Sequence, residues 1–297
     1  MSSSSATASS ESTIIVQKTV YPILFSIAFA HLLNDLLQAV IPASYPILKE
    51  NFNLTFTQIG LITLAYQLAA SILQPVVGLY TDKKPKPFSQ IFGMLFTLSG
   101  IVLLSYASNF FMIILSVVLV GIGSSIFHPE ASRISFLASG GKRGLAQSIF
   151  QLGGNAGTAI GPLLVALIVV PNTQYYIIWF VVVAIIGLMV LSRIALWYQN
   201  HLSLRATKKA VIDLPNLSQT KIVISVAILL VLIFSKFFYM ASMSSYFTFY
   251  LIEKFHLSVQ EAQFHLVLFL AACAVGTLIG GPLGDKFGRK YVIWFSV

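Results

Sequence analysis

The sequence predicts an all-α polytopic membrane protein: a six-helix N-terminal bundle followed by the start of a second copy of the same bundle. Three observations predict it. Of all residues 57% are hydrophobic and 9% charged, and the mean hydropathy is +0.87, which is more apolar surface than a water-soluble domain can hide. Apolar stretches of about 20 residues, the length that crosses a bilayer, recur along the chain. Finally, the chain repeats itself at one constant offset. Gly78, Asp82 and Lys83 return as Gly281, Asp285 and Lys286, and Glu50, Phe52, Leu54 and Thr55 return, without a gap, as Glu253, Phe255, Leu257 and Ser258.

The elements follow in order. Residues 1–18 are Ser-rich and lack the basic start and cleavage site of a signal peptide, so they read as a disordered cytoplasmic tail. Residues 19–197 form the first bundle, with spans at about 20–42, 57–80, 88–107, 110–129, 144–170 and 175–197. Its short connections, such as Ser105 to Asn109 and Val170 to Gln174, make consecutive helices antiparallel neighbours. Pro129 is placed to end or kink the fourth span. Residues 198–220 are polar, with His201, Arg205, Lys208, Lys209, Asp213 and Pro215, and read as a cytoplasmic linker. Residues 221–297 begin the second bundle, with spans at about 221–251 and 262–281 and a ninth starting near Lys290. Six is an even number, so the second copy enters the bilayer in the orientation of the first.

The net charge of +9 is topological. With the N-terminus in the cytoplasm, all but three of the 18 Lys and Arg residues lie inside; Lys49 and Lys254 fall outside and Lys236 lies within a span. That bias follows the positive-inside rule and predicts a multi-pass protein of the plasma membrane, the inner membrane in a bacterium, with a cytoplasmic N-terminus. The bilayer, not nucleic acid, is the expected partner. The lone cysteine, Cys273, excludes an internal disulfide and a thiolate metal cluster. No Gly-x-Ser-x-Gly elbow, phosphate loop or His-Glu-x-x-His helix is present, so neither an enzyme nor an ATP-driven pump is expected, and no cofactor or metal.

The segment Gly281 to Lys290 matches the pattern Gly-x-x-x-Asp-Lys/Arg-x-Gly-Arg-Lys/Arg throughout, while the first copy departs from it at Lys84-Pro85-Lys86-Pro87. With the parallel repeats, this resembles the major facilitator superfamily. His31-Leu-Leu-Asn-Asp35, the run from Gly121 to Arg133 that includes Phe127-His128-Pro129-Glu130, and Gln151-Leu-Gly-Gly-Asn-Ala-Gly157 resemble its fosmidomycin resistance branch. The resemblance covers nearly the whole chain after the tail. It implies a major-facilitator-type helical bundle of twelve helices, of which about four are missing here, so that the second half is truncated, and it implies export of a small drug in exchange for protons. The superfamily's fourth-helix Arg would fall where this chain has Val117, and the fifth-helix antiporter signature is matched only in part.

Candidate site residues follow from charge and spacing. Asp35 and His31 lie four apart on one face of the first span, with Asn34 and Gln38 extending the polar surface. A charge on a span needs a cavity or a partner, so Asp35, then His31, are the candidate proton carriers. Lys236 corresponds through the repeat to the same depth, and is expected either to pair with Asp35 or to bind an anionic group such as a phosphonate. Gln147, Gln151 and Asn155 form one stripe of the fifth span and Gly153, Gly157 and Gly161 another, the first a candidate substrate surface and the second a packing face. Gly78, Asp82 and Lys83, repeated as Gly281, Asp285, Lys286 with Arg289, form an expected conformational latch in which the glycines permit close helix approach and each Asp takes a backbone donor or a cation. Glu130 and Arg133, three apart near the end of the fourth span, are expected to neutralise each other as a gating pair.

The expected function is proton-coupled export of a small compound by alternating access, with the substrate and protons as partners. The alternative is a truncated, non-transporting sensor or a passive channel-like protein on the same fold.

Overall fold

The structure is a computed structural model that describes residues 18–205, 218–288, 291–292 and 294. The described residues form helices α1 (Tyr21–Ala43), α2 (Tyr45–Phe52), α3 (Phe56–Lys83), α4 (Ser89–Ser105), α5 (Phe110–Ala138), α6 (Arg143–Leu164), α7 (Phe180–Arg205), α8 (Gln219–Phe255) and α9 (Val259–Phe287). A π turn at Val165–Val169 follows Pro162 and extends α6, and a 3-10 turn at Gln174–Trp179 leads into α7. Seven helical stretches are long and apolar enough to cross a membrane. The eighth, α4, has 17 residues and is held between α5 and α7.

Local sequence sets the helix ends. Asn109 caps α5 by accepting the Met112 amide at 3.0 Å. Thr55 and Gln58 form a reciprocal capping box at the start of α3. The repeat reproduces this corner in detail. Asn53 ends α2 and His256 ends α8, both left-handed with φ of 50° and 54°, a conformation in which Asn and His are enriched among residues with a side chain. Two residues later Thr55 and Ser258 cap the next helix. Ser258 Oγ accepts the Glu261 amide at 3.2 Å and Glu261 accepts the Ser258 amide at 2.9 Å, as Gln58 accepts the Thr55 amide at 2.9 Å. The two copies therefore share backbone geometry as well as residue types.

Two expected boundaries are corrected. α5 continues through Pro129 to Ala138. A proline inside a helix costs about 3 kcal/mol, but Ala131, Ile134 and Ala138 beyond it are fully buried, and that packing holds the helix together. α7 likewise runs past residue 197 to Arg205, so the start of the expected linker is helical. Lys208, Lys209, Asp213 and Pro215 lie outside the described residues.

The first bundle is organised around three tight helix pairs. α1 lies against α6, and α5 lies against both α4 and α3, with α7 closing the bundle on α1 and α4. The α1 and α6 backbones meet at the glycine stripe. A Cβ on Gly153 would collide with the Ala28 carbonyl, one on Gly157 with the Leu32 carbonyl, and one on Gly161 would stand 2.6 Å from Ala39 Cβ. The core runs through Ile27, Leu37, Val40, Ile59, Val117, Phe127, Ile134 and Phe180.

α8 and α9 pack on each other and meet the first bundle mainly where α9 lies along α6. Contacts between the halves gather at the end that carries the α2–α3 and α8–α9 connections. There Gln263 donates to the Ala43 carbonyl at 2.6 Å, Gln260 to the Ala166 carbonyl at 3.3 Å, and Phe56 and Phe249 meet edge to face at 5.3 Å. Toward the opposite end, residues 219–239 of α8 are exposed apart from Leu232. The halves meet at the closed end formed by the contacts of Gln263, Gln260 and Phe56.

Candidate functional site

On α1 the four-residue spacing brings His31 and Asp35 together: His31 Nε2 lies 3.2 Å from Asp35 Oδ2. The other ring nitrogen, Nδ1, faces the Phe150 carbonyl of α6 at 2.8 Å. A carbonyl can only accept, so Nδ1 carries a hydrogen, and Nε2 meets the carboxylate favourably when a proton lies between them. α5 adds His128, whose Nε2 is 3.7 Å from Asp35 Oδ1 and whose ring stands edge-on to that of His31 at 5.3 Å. Asn34 and Gln38 donate to Asp35 Oδ1 at 3.1 and 3.4 Å, and the Tyr66 hydroxyl of α3 donates to Gln38. Four polar side chains from two helices thus converge on one carboxylate, and Tyr66 of a third helix supports one of them.

Gly154 makes the room. A Cβ there would stand 2.5 Å from His31 Cε1 and 2.8 Å from Asp35 Oδ2, so the imidazole occupies space that only glycine leaves free. The His31 side chain is 5% exposed, whereas those of Asp35 and His128 keep 18% and 27%. The cluster is therefore walled by protein on the His31 side and reachable on the other. The Asn34 side-chain oxygen is buried without a hydrogen-bond partner.

A second polar group bridges α5 and the end of α3. Arg133 donates to Glu130 Oε1 at 2.8 Å, to the Thr81 carbonyl at 2.8 Å and to Thr81 Oγ1 at 3.2 Å, and pairs with Asp82. The expected Glu130–Arg133 pair is present, but it is not self-contained: the guanidinium also supplies the cation for Asp82. Lys83 ends α3 and is exposed. Gly78 differs from its expected role, because a Cβ there would sit 3.7 Å from Pro129 Cβ, an ordinary contact, so close helix approach does not require glycine at this position. The surroundings of Gly281, the side chains of Asp285 and Lys286, and all of Arg289 lie outside what the structure describes.

The remaining candidates lie on α6 and α8. Gln147, Gln151 and Asn155 share a stripe with Ala159, and Ala159 packs on Leu266 and Leu270 of α9. Gln147 and Gln151 are exposed and Asn155 half-buried. Lys236 is exposed on α8 and within electrostatic reach of Cys273 on α9; among the described residues no ion pair joins it to Asp35. The Asp35 partners are the two imidazoles instead. His128 and Tyr66 are the site residues that sequence reasoning missed. Ending the fourth span at Pro129 put His128 at the membrane edge, and the nine residues by which α5 continues place it inside the helix. Tyr66 carries no such signal, since a tyrosine in a span is read as apolar surface.

Similarity to known proteins agrees with this architecture. The sequence pattern of the family described as Major Facilitator Superfamily matches residues 27–297. Over 281 residues the chain is 56% identical to the Fosmidomycin resistance protein of Escherichia coli (strain K12), covering 94% of this chain and 69% of that one. It is 46% identical over 282 residues to the uncharacterized MFS-type transporter YfnC of Bacillus subtilis (strain 168), again covering 94% and 69%. A crystal structure of a bacterial homolog of the human lysosomal transporter Spinster, inward-facing and occupied, superposes with a TM-score of 0.68 at 19% identity. That likeness is one of fold, and this chain, 91% of it matched, spans 62% of the other's length.

Proposed function

From a chain that belongs to the Major Facilitator Superfamily, we propose a proton-coupled antiporter that exports a small anionic, drug-like compound, of which the phosphonate fosmidomycin is the first to test. The observation that carries this reading is the Asp35 cluster: a carboxylate inside a span, flanked by two imidazoles and still partly exposed. The compound comes from the name of the relative that shares 56% of its residues. The same reading puts the chain in the plasma membrane with its N-terminus in the cytoplasm, as the excess of Lys and Arg on one side supports, so that the closed end faces outward.

In the mechanism proposed here, substrate enters from inside between the halves. The amides of Gln151 and Asn155 and the ammonium of Lys236 bind the solute, with Asn34 and Gln38 positioned beside Asp35 to report its charge. A proton taken up outside protonates Asp35 and breaks its ion pair with a charged imidazole, leaving the cluster one positive charge richer, and its release inside restores that pair. Coupling needs only that the two charge states favour different arrangements of the halves. The Arg133 bridge to Glu130, Thr81 and Asp82 holds the cytoplasmic end of the first bundle as a unit while the halves rock.

The test is flux of labelled fosmidomycin in proteoliposomes under an imposed pH gradient. Gradient-driven flux is expected in the wild type and lost in Asp35→Asn, with equal protein incorporated. Flux that ignores the gradient in the wild type would favour a passive conduit, and full coupling in Asp35→Asn would remove Asp35 from the mechanism.

A further inference from the structure

We propose that His31, Asp35 and His128 form a binding site for a divalent transition-metal ion, Zn2+ being the one the donor set suits best. Two imidazole nitrogens and one carboxylate oxygen are the donors that Zn2+ takes in open three-ligand sites, with a fourth position left for water or solute. The three donor atoms lie within 4.8 Å of one another. Ligands at about 2.0–2.1 Å from a tetrahedral ion stand roughly 3.3 Å apart. His31 Nε2 already has that spacing to Asp35 Oδ2, at 3.2 Å, and His128 Nε2 lies 3.7 Å from the other oxygen, Oδ1; with one carboxylate oxygen as donor, the widest separation, up to 4.8 Å, must close by about 1.5 Å, within reach of side-chain rotation.

The surroundings favour the same reading. His31 spends its Nδ1 hydrogen on the Phe150 carbonyl, which fixes the tautomer that aims the Nε2 lone pair at the cluster, the support that metal-bound histidines commonly receive. Asn34 and Gln38 hold the carboxylate in place. Two ligands four apart on one helix face, completed by a third from a neighbouring helix, is an arrangement rigid helices supply well. The exposure of Asp35 and His128 gives an ion a way in.

The site itself needs only these three side chains. Its consequence for transport rests on the proton role proposed above: a bound metal occupies the atoms that the coupling proton uses, so Zn2+ would block proton-driven flux.

The experiment titrates the chelator-stripped full chain in detergent with ZnCl2 by calorimetry, and records the visible spectrum after adding CoCl2. One ion per chain is expected, with the intense d–d bands of four-coordinate Co2+. His128→Asn and Asp35→Asn should each weaken Zn2+ binding at least tenfold, the scale on which loss even of a supporting group is felt, and His265→Asn should leave it unchanged. No saturable binding in the wild type, a spectrum like that of aqueous Co2+, or equal affinity in wild type and His128→Asn would each overturn the site. The spectrum is read on the wild type, so a misfolded variant cannot mask the answer. Metal-free proton-driven flux is measured on the same protein: coupled flux without Zn2+ binding refutes the metal site alone, and Zn2+ binding with Asp35-independent flux refutes the proton reading alone.

Discussion

Asp35 takes its character from what surrounds it within one helical turn and across two neighbours. A lone carboxylate on a span is costly, and here two imidazoles, two amides and a tyrosine hydroxyl behind one of them share that cost. Gly154, with no chemistry of its own, leaves the cluster its room. Gly154→Ala would push a methyl group to 2.5 Å from His31, and overpacking of this kind costs about 1–3 kcal/mol. We expect coupled flux to fall at least tenfold while the protein remains folded, as judged by size-exclusion and thermal unfolding; wild-type flux would show that His31 can move without consequence. Lys236 tests recognition separately. Lys236→Ala should lose flux of anionic substrates and keep that of neutral ones, and an equal loss of both would remove charge recognition from this side chain.

At the scale of the element, packing overrides local propensity where the two conflict. Pro129 is a helix breaker by its chemistry, yet α5 runs on because residues beyond it are buried against neighbouring helices. That continuation accounts for the misplacement of His128, since depth along a helix is counted from its ends. The glycines divide on the same principle. Gly157 faces the Leu32 carbonyl with no room for a Cβ, whereas Gly78 has ordinary space beside Pro129. Thermal unfolding should therefore separate them: Gly157→Ala is expected to destabilise by about 1–3 kcal/mol, and Gly78→Ala to stay within about 0.5 kcal/mol of wild type. A comparable loss at Gly78 would restore close approach as its role. The α1–α6 stripe, by contrast, was legible beforehand, because small residues at helical spacing in a span have few other uses.

For the whole molecule, the informative feature is the asymmetry between the two ends. The hydrogen bonds and the aromatic pair that cross between the halves described above lie toward the end with the α2–α3 and α8–α9 corners, whereas residues 219–239 of α8, toward the other end, are exposed apart from Leu232. Phe249 is 7% exposed and sits in that closed end against Phe56. Phe249→Ala gives up an aromatic pair worth about 0.5–1.5 kcal/mol in addition to its burial, and about 1.4 kcal/mol is tenfold in a population. Spin-label distances between α2 and the end of α8 should show the separated arrangement enriched roughly tenfold. An unchanged distance distribution would mean that Phe249 does not hold the halves together.

What the sequence determined by itself is what depends on composition and local register: a multi-pass all-α chain, its repeat, most helix ends, and Asp35 and His31 as a pair. Hydropathy, turn chemistry and a four-residue spacing act over a few neighbouring residues, so they can be read without neighbours in space. Only the tertiary structure decided which helices supply the other partners. His128 on α5 and Tyr66 on α3 reach the cluster, and Arg133 reaches Asp82 through contacts between residues more than fifty positions apart. Lys236 illustrates the same limit from the other side: the repeat gives its depth in the bilayer, but a rotation about the helix axis decides what it meets, and that rotation is set by packing between helices.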